Sequence, residues 1–481
     1  METPNSEATN VPVLEIRTVR PIPLDERHGK GRNLFTIWFT ANMSPVAFIT
    51  GALGPTVFGL SFWWSIVAMV IGACLGALLM AFHSAQGPRL GLPQMIQSRG
   101  QFGAIGAIVI MIIVVLMYLG FFASAAALAG QSTEIAVGGL GTNAWIVITS
   151  LLSVVVAALG YRYLHFMGNV GTVLCGGVML ASAIVLAVNG QASADFFSRG
   201  GFNGVGFLAM FSITAMWVIA FAPYVSDYSR YMPPTFAGVK STFWNTYAGV
   251  ILGACTPITL GVALAIAVPG KDANNLLAGT AAVLGTPMSD ALLLAFVFVV
   301  IHANAMNLYG GALTLLSCIQ TAYVSWNPGA RARIVAATIM AFVAVTVGIV
   351  FSGDFVNNYE SFISLLIYTL IPWSIINLLD FYVVRKGHYD LTSLLARHAG
   401  IYGNFRWPAL ITYAVAIICQ IPFMSSPMYT GVVAKMLSGA DISWIVCVIV
   451  TVPLYLWLSR NERDKFEPAS PTRSAGLSVV E

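Results

Sequence analysis

The sequence predicts an all-α membrane protein of twelve transmembrane helices, and three observations carry that prediction. The 481 residues are 58% hydrophobic and only 9% charged, with a mean hydropathy of +0.81, far outside the range of a soluble domain. Apolar runs of about 20 residues, the length that crosses a bilayer, recur twelve times. The basic side chains then segregate: with both termini inside, 20 of the 23 Lys and Arg fall in inside segments, and only Arg199, Lys271 and Lys435 fall outside. That asymmetry fits an even number of spans with cytoplasmic termini in a plasma (inner) membrane.

In order, the spans are expected at 34–60, 62–83, 103–131, 143–160, 168–188, 205–226, 242–268, 289–314, 333–352, 358–381, 407–425 and 441–459. Met1 to Arg32 is polar and lacks the apolar core and small-residue cleavage site of a signal peptide. Glu462 to Glu481 has the composition of a disordered tail. The small-residue run "FFASAAALAG" in span three and the glycines of spans two, five and seven let helix backbones approach closely. Cys74, Cys175, Cys255, Cys318, Cys419 and Cys447 sit singly in apolar runs, without the spacing of a disulfide framework or a metal site. A net charge of +4 spread this way gives no ground for nucleic-acid binding. No cofactor is expected.

Two spans are interrupted. Span six, "FLAMFSITAMWVIAFAPYVSDYSRYMP", carries Pro223 near its middle, where the missing N–H and the ring clash bend or open a helix. Span one, "FTANMSPVAFITGALGP", puts Asn42, Ser44, Pro45, Gly51 and Pro55 inside an apolar run. Irregular backbone at membrane depth is tolerated where it lines a cavity. Breaks in the first and sixth spans, corresponding places of two five-helix halves, point to an inverted-repeat secondary transporter.

Carboxylates are confined to span ends, at Glu134, Asp227, Asp290, Glu360, Asp380 and Asp441. The ionisable group nearest a span centre is His302, in span eight with Asn304 and Asn307. Such groups are costly in lipid and should face the bundle interior, as a functional site or as a hydrogen-bond cluster between helices. Phe121, Phe122, Trp217 and Phe221 read singly as packing residues. Beside the breaks they also read as ring faces for a planar heterocycle with an amide at its edge.

Together these segments resemble the nucleobase:cation symporter family 1, most closely its purine-cytosine permease branch. The resemblance is carried by "PIPLDER" before span one, "WFTANM" and "GALGPTVFGL" in it, "GPRLGLPQMIQSRGQFG" after span two, "YVSDYSRYMP" ending span six, "HANAMNLYGGALTLLS" in span eight and "PWSIINLLDFYVVRKGHYD" closing span ten. It implies a leucine-transporter-like fold: a first repeat at 34–188, a second at 205–381, two additional helices at 407–459, and cytoplasmic segments at 1–33, 382–406 and 460–481. It also implies import of a nucleobase of the cytosine, adenine, guanine or hypoxanthine class by alternating access. The alternatives are a related heterocycle such as allantoin, a hydantoin or a vitamin precursor, and, from another class, a channel or solute sensor of the same fold. An embedded enzyme is disfavoured, because no paired carboxylates or metal cluster occupy the interior.

Residue by residue, the resemblance implies Asn307 as the substrate amide with Met306 before it, Phe121 and Phe221 as the aromatics of spans three and six, and Trp217 as the alternative to Phe221. Ser44, at the span-one break, joins the expected substrate-binding set. Many relatives carry Asn or Gln four residues after the span-three aromatic, where this chain has Ala125. In sodium-coupled members, hydroxyl side chains about one turn before the span-eight amide help hold the ion. Here those places are Ile301 and His302, and 291–311 contains no serine or threonine. A proton is therefore expected as the coupling cation, with His302 and Asn304 as the coupling residues. Sodium remains the alternative, held by span-one carbonyls, Ser44 and a side chain from span five.

Overall fold

The computed structural model describes residues 20–188, 196–268, 273–323 and 325–462. The tail from 463 on, where most of the expected disorder falls, and Lys271 lie outside them. The first span is two helices, α1 (Gly31–Asn42) and α2 (Pro45–Thr56), that meet at 57°. Ser44 explains the break. It precedes a proline and is extended (φ −93°, ψ 149°), its Oγ accepts from Val46 N–H at 3.0 Å, and Pro45 opens α2 where no donor is needed.

Span two is α3 (Phe62–Ser84), followed by short helices α4 (Gln86–Leu90) and α5 (Gln94–Phe102). Spans three, four and five are α6 (Gly106–Ala136), α7 (Thr142–Leu159) and α8 (Tyr161–Val188). Span six comprises α9 (Gly204–Ile219), a 3-10 turn at Ala222–Tyr224 and α10 (Val225–Ser229). Span seven is α11 (Phe236–Ala267); a short α12 (Leu276–Leu284) precedes span eight, α13 (Thr286–Ala322). Spans nine and ten are α14 (Ala330–Phe351) and α15 (Phe355–Leu379). Beyond them lie α16 (Leu391–Leu395), α17 (Trp407–Gln420), α18 (Val432–Met436) and α19 (Ser443–Leu458).

Among the described residues, nine continuous helices and the bent pair are long and apolar enough to cross a membrane. The segments expected as spans eleven and twelve are apolar but shorter, at Trp407–Phe423 and Ser443–Leu458. Several helices run past the expected bounds. Span five begins at Tyr161 rather than 168, and span seven begins at Phe236, where Thr235 caps Gly238 N–H. A helix continues through polar residues that hydropathy assigns to the loop.

Packing follows a rule of exchange. Spans one, two, six and seven form one group and spans three, four, eight and nine another, with five and ten bridging them. Replacing each span by the one five places away maps the observed pairs onto one another: one–seven onto six–two, five–eight onto ten–three, one–five onto six–ten. That is the contact pattern of a duplicated five-helix unit. The seams rest on pairs of glycines four positions apart. A Cβ at Gly249 or Gly253 of α11 would meet Phe35 O at 2.6 Å or Phe39 O at 2.5 Å, and one at Gly72 or Gly76 of α3 would meet Phe211 O at 2.4 Å or Ala215 O at 2.5 Å. α17 and α19 pack on each other and on α15.

The span-ten motif closes a buried clamp. Arg385 Nε meets Asp380 Oδ2 at 2.7 Å, Tyr455 of α19 donates to Asp380 Oδ1 at 2.6 Å, and Tyr389 donates to Asp380 Oδ2. Burial, then the Asp380 charge, pushes the Tyr389 phenol well above its ordinary value. That stretch ties α15 to α19 rather than lining a cavity.

Candidate functional site

The cavity opens where the two interrupted spans face α6 and α13. Its wall takes Ala41, Ser44 and Val46 from span one, Phe121 and Ala125 from α6, Trp217, Phe221 and Tyr224 from span six, and Ala303, Met306 and Asn307 from α13. All six residues expected to bind substrate are therefore gathered in one place. The space open to a water's centre is about 20 Å³, room for a water or two. A planar ring must part the side chains to enter.

The rings form an edge-to-face set. Trp217 stands at 82° to Phe121 (5.6 Å) and at 89° to Phe221 (5.9 Å), and Phe221 packs on Tyr224 at 5.7 Å. Trp217 is the fixed member: its Nε1–H donates to Asn42 Oδ1 at 2.8 Å, and Asn42 Nδ2 donates to Trp38 O at 2.8 Å. Phe121 and Phe221, 8% and 9% exposed against 3% for Trp217, turn more of their surface to the opening. The amide is also aimed. Asn304 Nδ2 donates to Phe122 O at 3.2 Å, and its Oδ1 accepts from Asn307 Nδ2 at 3.4 Å. With that assignment of the amide, Asn307 keeps its Oδ1 and one N–H for a ligand. Ser44 Oγ accepts from Val46 N–H, so its hydroxyl hydrogen can be donated inward. The polar surface thus lies on two sides of the cavity, while Ala125 and Ala303 leave smooth wall.

The two residues expected at the ion step part company. Asn304 stands behind Asn307 and holds it. His302 is fully buried on another face of α13, beside the α1 backbone at Ile37. Tyr224 and the Asn42 tether were not among the expected site residues. Tyr224 directly follows Pro223 and Asn42 lies in the interrupted run, so proximity to the breaks was the signal available. Among the described residues no group of three or more His, Cys, Asp or Glu is placed to hold a metal.

A family model described as a permease for cytosine/purines, uracil, thiamine and allantoin matches residues 21–447. The putative purine-cytosine permease YxlA of Bacillus subtilis is 36% identical over 454 residues, 94% of this chain and 97% of that protein. The purine-cytosine permease fcyB of Emericella nidulans is 24% identical, covering 90% of this chain and 85% of that one. Among solved structures, Mhp1, a nucleobase-cation-symport-1 family transporter in a closed conformation with bromovinylhydantoin bound, superimposes with a TM-score of 0.76 at 20% identity, covering 95% of this chain and 97% of the other. Its inward-facing form gives 0.69 at 20% identity, covering 96% and 99%.

Proposed function

Because this chain belongs to the permease family for cytosine/purines, uracil, thiamine and allantoin, and is thus a multi-pass membrane transporter rather than an enzyme, we propose that it imports a nucleobase by proton symport. The observation that carries the reading is the cavity at the paired breaks. Two phenyl rings border a space flanked by one oriented amide and one hydroxyl, which suits a flat heteroaromatic with donors and acceptors on its edge. Substrate binding is assigned to Asn307, Phe121, Phe221, Trp217, Ser44 and Met306. A second reading, a related heterocycle such as a hydantoin or allantoin, is favoured by Ala125: that wall offers no second amide, so a ligand with fewer edge groups also fits.

The proton is favoured over sodium because Ile301 and His302, and no hydroxyl, stand about one turn before Asn307 on α13. A hard cation needs several oxygen ligands, whereas an imidazole binds and releases a proton near neutral pH. The repeats are assigned to 34–188 and 205–381, the additional helices to 407–459, and both termini to the cytoplasmic side of the plasma membrane on the basic-residue asymmetry. The test is uptake at fixed external pH. Transport should persist with sodium replaced by choline and collapse with a protonophore; loss on removing sodium alone contradicts proton coupling.

A further inference from the structure

A second, larger cavity lies away from the paired breaks. About 420 Å³ is open to a water's centre there, against about 20 Å³ at the breaks. It is set where α6 ends, α7 begins and the segments leading into α13 and α15 pass, on the side of the bundle opposite the start of α1, the outer face in the orientation proposed above. Its polar wall comes from Gln131 and Glu134 of α6, Thr142 of α7, Asn274 before α12 and Ser352 before α15, and Phe355 supplies a ring. Two of these groups are already held. Glu134 Oε2 accepts from Gly141 N–H at 2.8 Å, and Asn274 Oδ1 accepts from Val356 N–H at 3.1 Å. That leaves Glu134 Oε1 as an acceptor and the Asn274 amide nitrogen as a donor for a ligand. Among the described residues of the wall, Glu134 alone is charged. Two helices lead from this cavity to the breaks. On α6, Gln131 stands six residues beyond Ala125, about 9 Å along the axis. On α15, Phe355 stacks on Tyr359 at 5.5 Å, and Phe362, about one turn further, packs on Phe121 at 5.0 Å. Tyr359 also shares a 3.1 Å hydrogen bond with Thr50 of α2, so Tyr359 and Phe362 separate the two cavities.

We infer that this cavity is an outer binding site that takes the base before the cavity at the breaks does, and that Glu134 makes it selective for guanine. The inference rests on the nucleobase reading and names the edge that is read. Guanine carries a ring N–H and an amino group on neighbouring positions, two donors side by side that a carboxylate accepts together, as it does from the fork of an arginine. Each carboxylate oxygen accepts more than once, so Glu134 Oε2 can serve a ligand beside its bond to Gly141. The next group along that edge of guanine is a carbonyl, an acceptor for the Asn274 amide. In their usual tautomers adenine, cytosine and hypoxanthine set each donor beside an acceptor. That pattern suits an amide, and against a carboxylate it brings one oxygen up to a lone pair. The choice is therefore made by repulsion as well as by attraction. Phe355 offers a face on which either size of ring can stack.

A thiol placed in the wall tests the site. Ser352→Cys, with Ala278→Cys at an exposed position as a guard against misfolding, is reacted with a polar maleimide in purified protein, and the unsubstituted protein sets the background of its six cysteines. Guanine should slow labelling about fivefold at concentrations where adenine does not, as occupancy of a site does. It should do so equally when Asn307→Ala disables the cavity at the breaks, and the effect should disappear when Glu134→Gln is added. Glutamine keeps an acceptor for Gly141 N–H, so that change preserves the turn from α6 to α7. In proteoliposomes Glu134→Gln should raise the KM for labelled guanine about tenfold and leave that for adenine within about twofold, the size expected for one charge-assisted hydrogen bond. Protection that vanishes with Asn307→Ala assigns the effect to the breaks and overturns the outer site. Guanine and adenine responding alike to Glu134→Gln overturns the role of Glu134. If bases raise the unfolding temperature of the wild type but none protects the thiol, the outer site alone has failed; if none does either, it is the nucleobase reading that has failed.

Discussion

In span one the chain turns by 57° between two separate helices, whereas in span six it passes its proline by tightening into a single 3-10 turn. Ala220 and Phe221 keep right-handed helical angles, and Tyr224 (φ −138°, ψ 6°) is the residue that leaves them. The proline alone does not decide the outcome. Ser44 offers a hydroxyl that caps the new helix, so an extended residue before Pro45 is stabilised. Ala222 has no side chain to cap with, so the helix stays wound and loses its one donor at the first turn of the 3-10 segment, where it is least missed. The result is a division of labour: span one contributes hydroxyl and amide groups, and span six contributes rings. Asn42 and Trp217 join the two across a 2.8 Å hydrogen bond.

What the two breaks share is their glycine seams, and the largest effects are expected there. Gly253→Val on α11 and Gly72→Val on α3 each drive a side chain into a backbone carbonyl, so each should lose about 1–3 kcal/mol or more by overpacking. Thermal unfolding of the purified variants reads this; wild-type stability in one and loss in the other would mean the seams are not equivalent. The aromatic half is tested by Phe221→Ala, which should lose most of about 1–3 kcal/mol of stacking, while Phe221→Tyr keeps it. Ligand affinity reads the difference, and equal behaviour of the two variants would pass the stacking role to Phe121 or Trp217. The smallest effects separate the breaks themselves. Ser44→Ala should cost about 0.5–2 kcal/mol of stability through the lost cap, and Pro223→Ala should be near neutral because its turn can rewind. A reversed order in denaturation would place the stored conformation in span six instead.

Much of this was legible in the sequence because bilayer length and charge asymmetry act on whole segments. Ten spans, the span-one break and the close-approach glycines all follow from runs of residue type. Helix ends were less legible, since Tyr161 to Met167 and Phe236 to Ser241 continue a helix through polar residues. Pro223 promised a larger break than it makes, because the same residue that ends one helix can start the next. The neighbours of His302 were invisible for a different reason: only packing sets α13 against α1 and α8. The same holds for Asn42, whose partner Trp217 is 175 positions away.

The most direct measurement is ligand-dependent thermal unfolding of the wild type and of Asn307→Ala, in sodium-free buffer, against cytosine, adenine, guanine, hypoxanthine, allantoin and a hydantoin. A ligand at a hundred times its dissociation constant stabilises the folded state by about 2.7 kcal/mol, and removing the oriented amide should weaken its binding by about 1–3 kcal/mol. At least one nucleobase should raise the unfolding temperature of the wild type, and the same concentration should raise that of Asn307→Ala by clearly less. No rise with any nucleobase, or an identical rise in both proteins, would contradict nucleobase binding at the paired breaks.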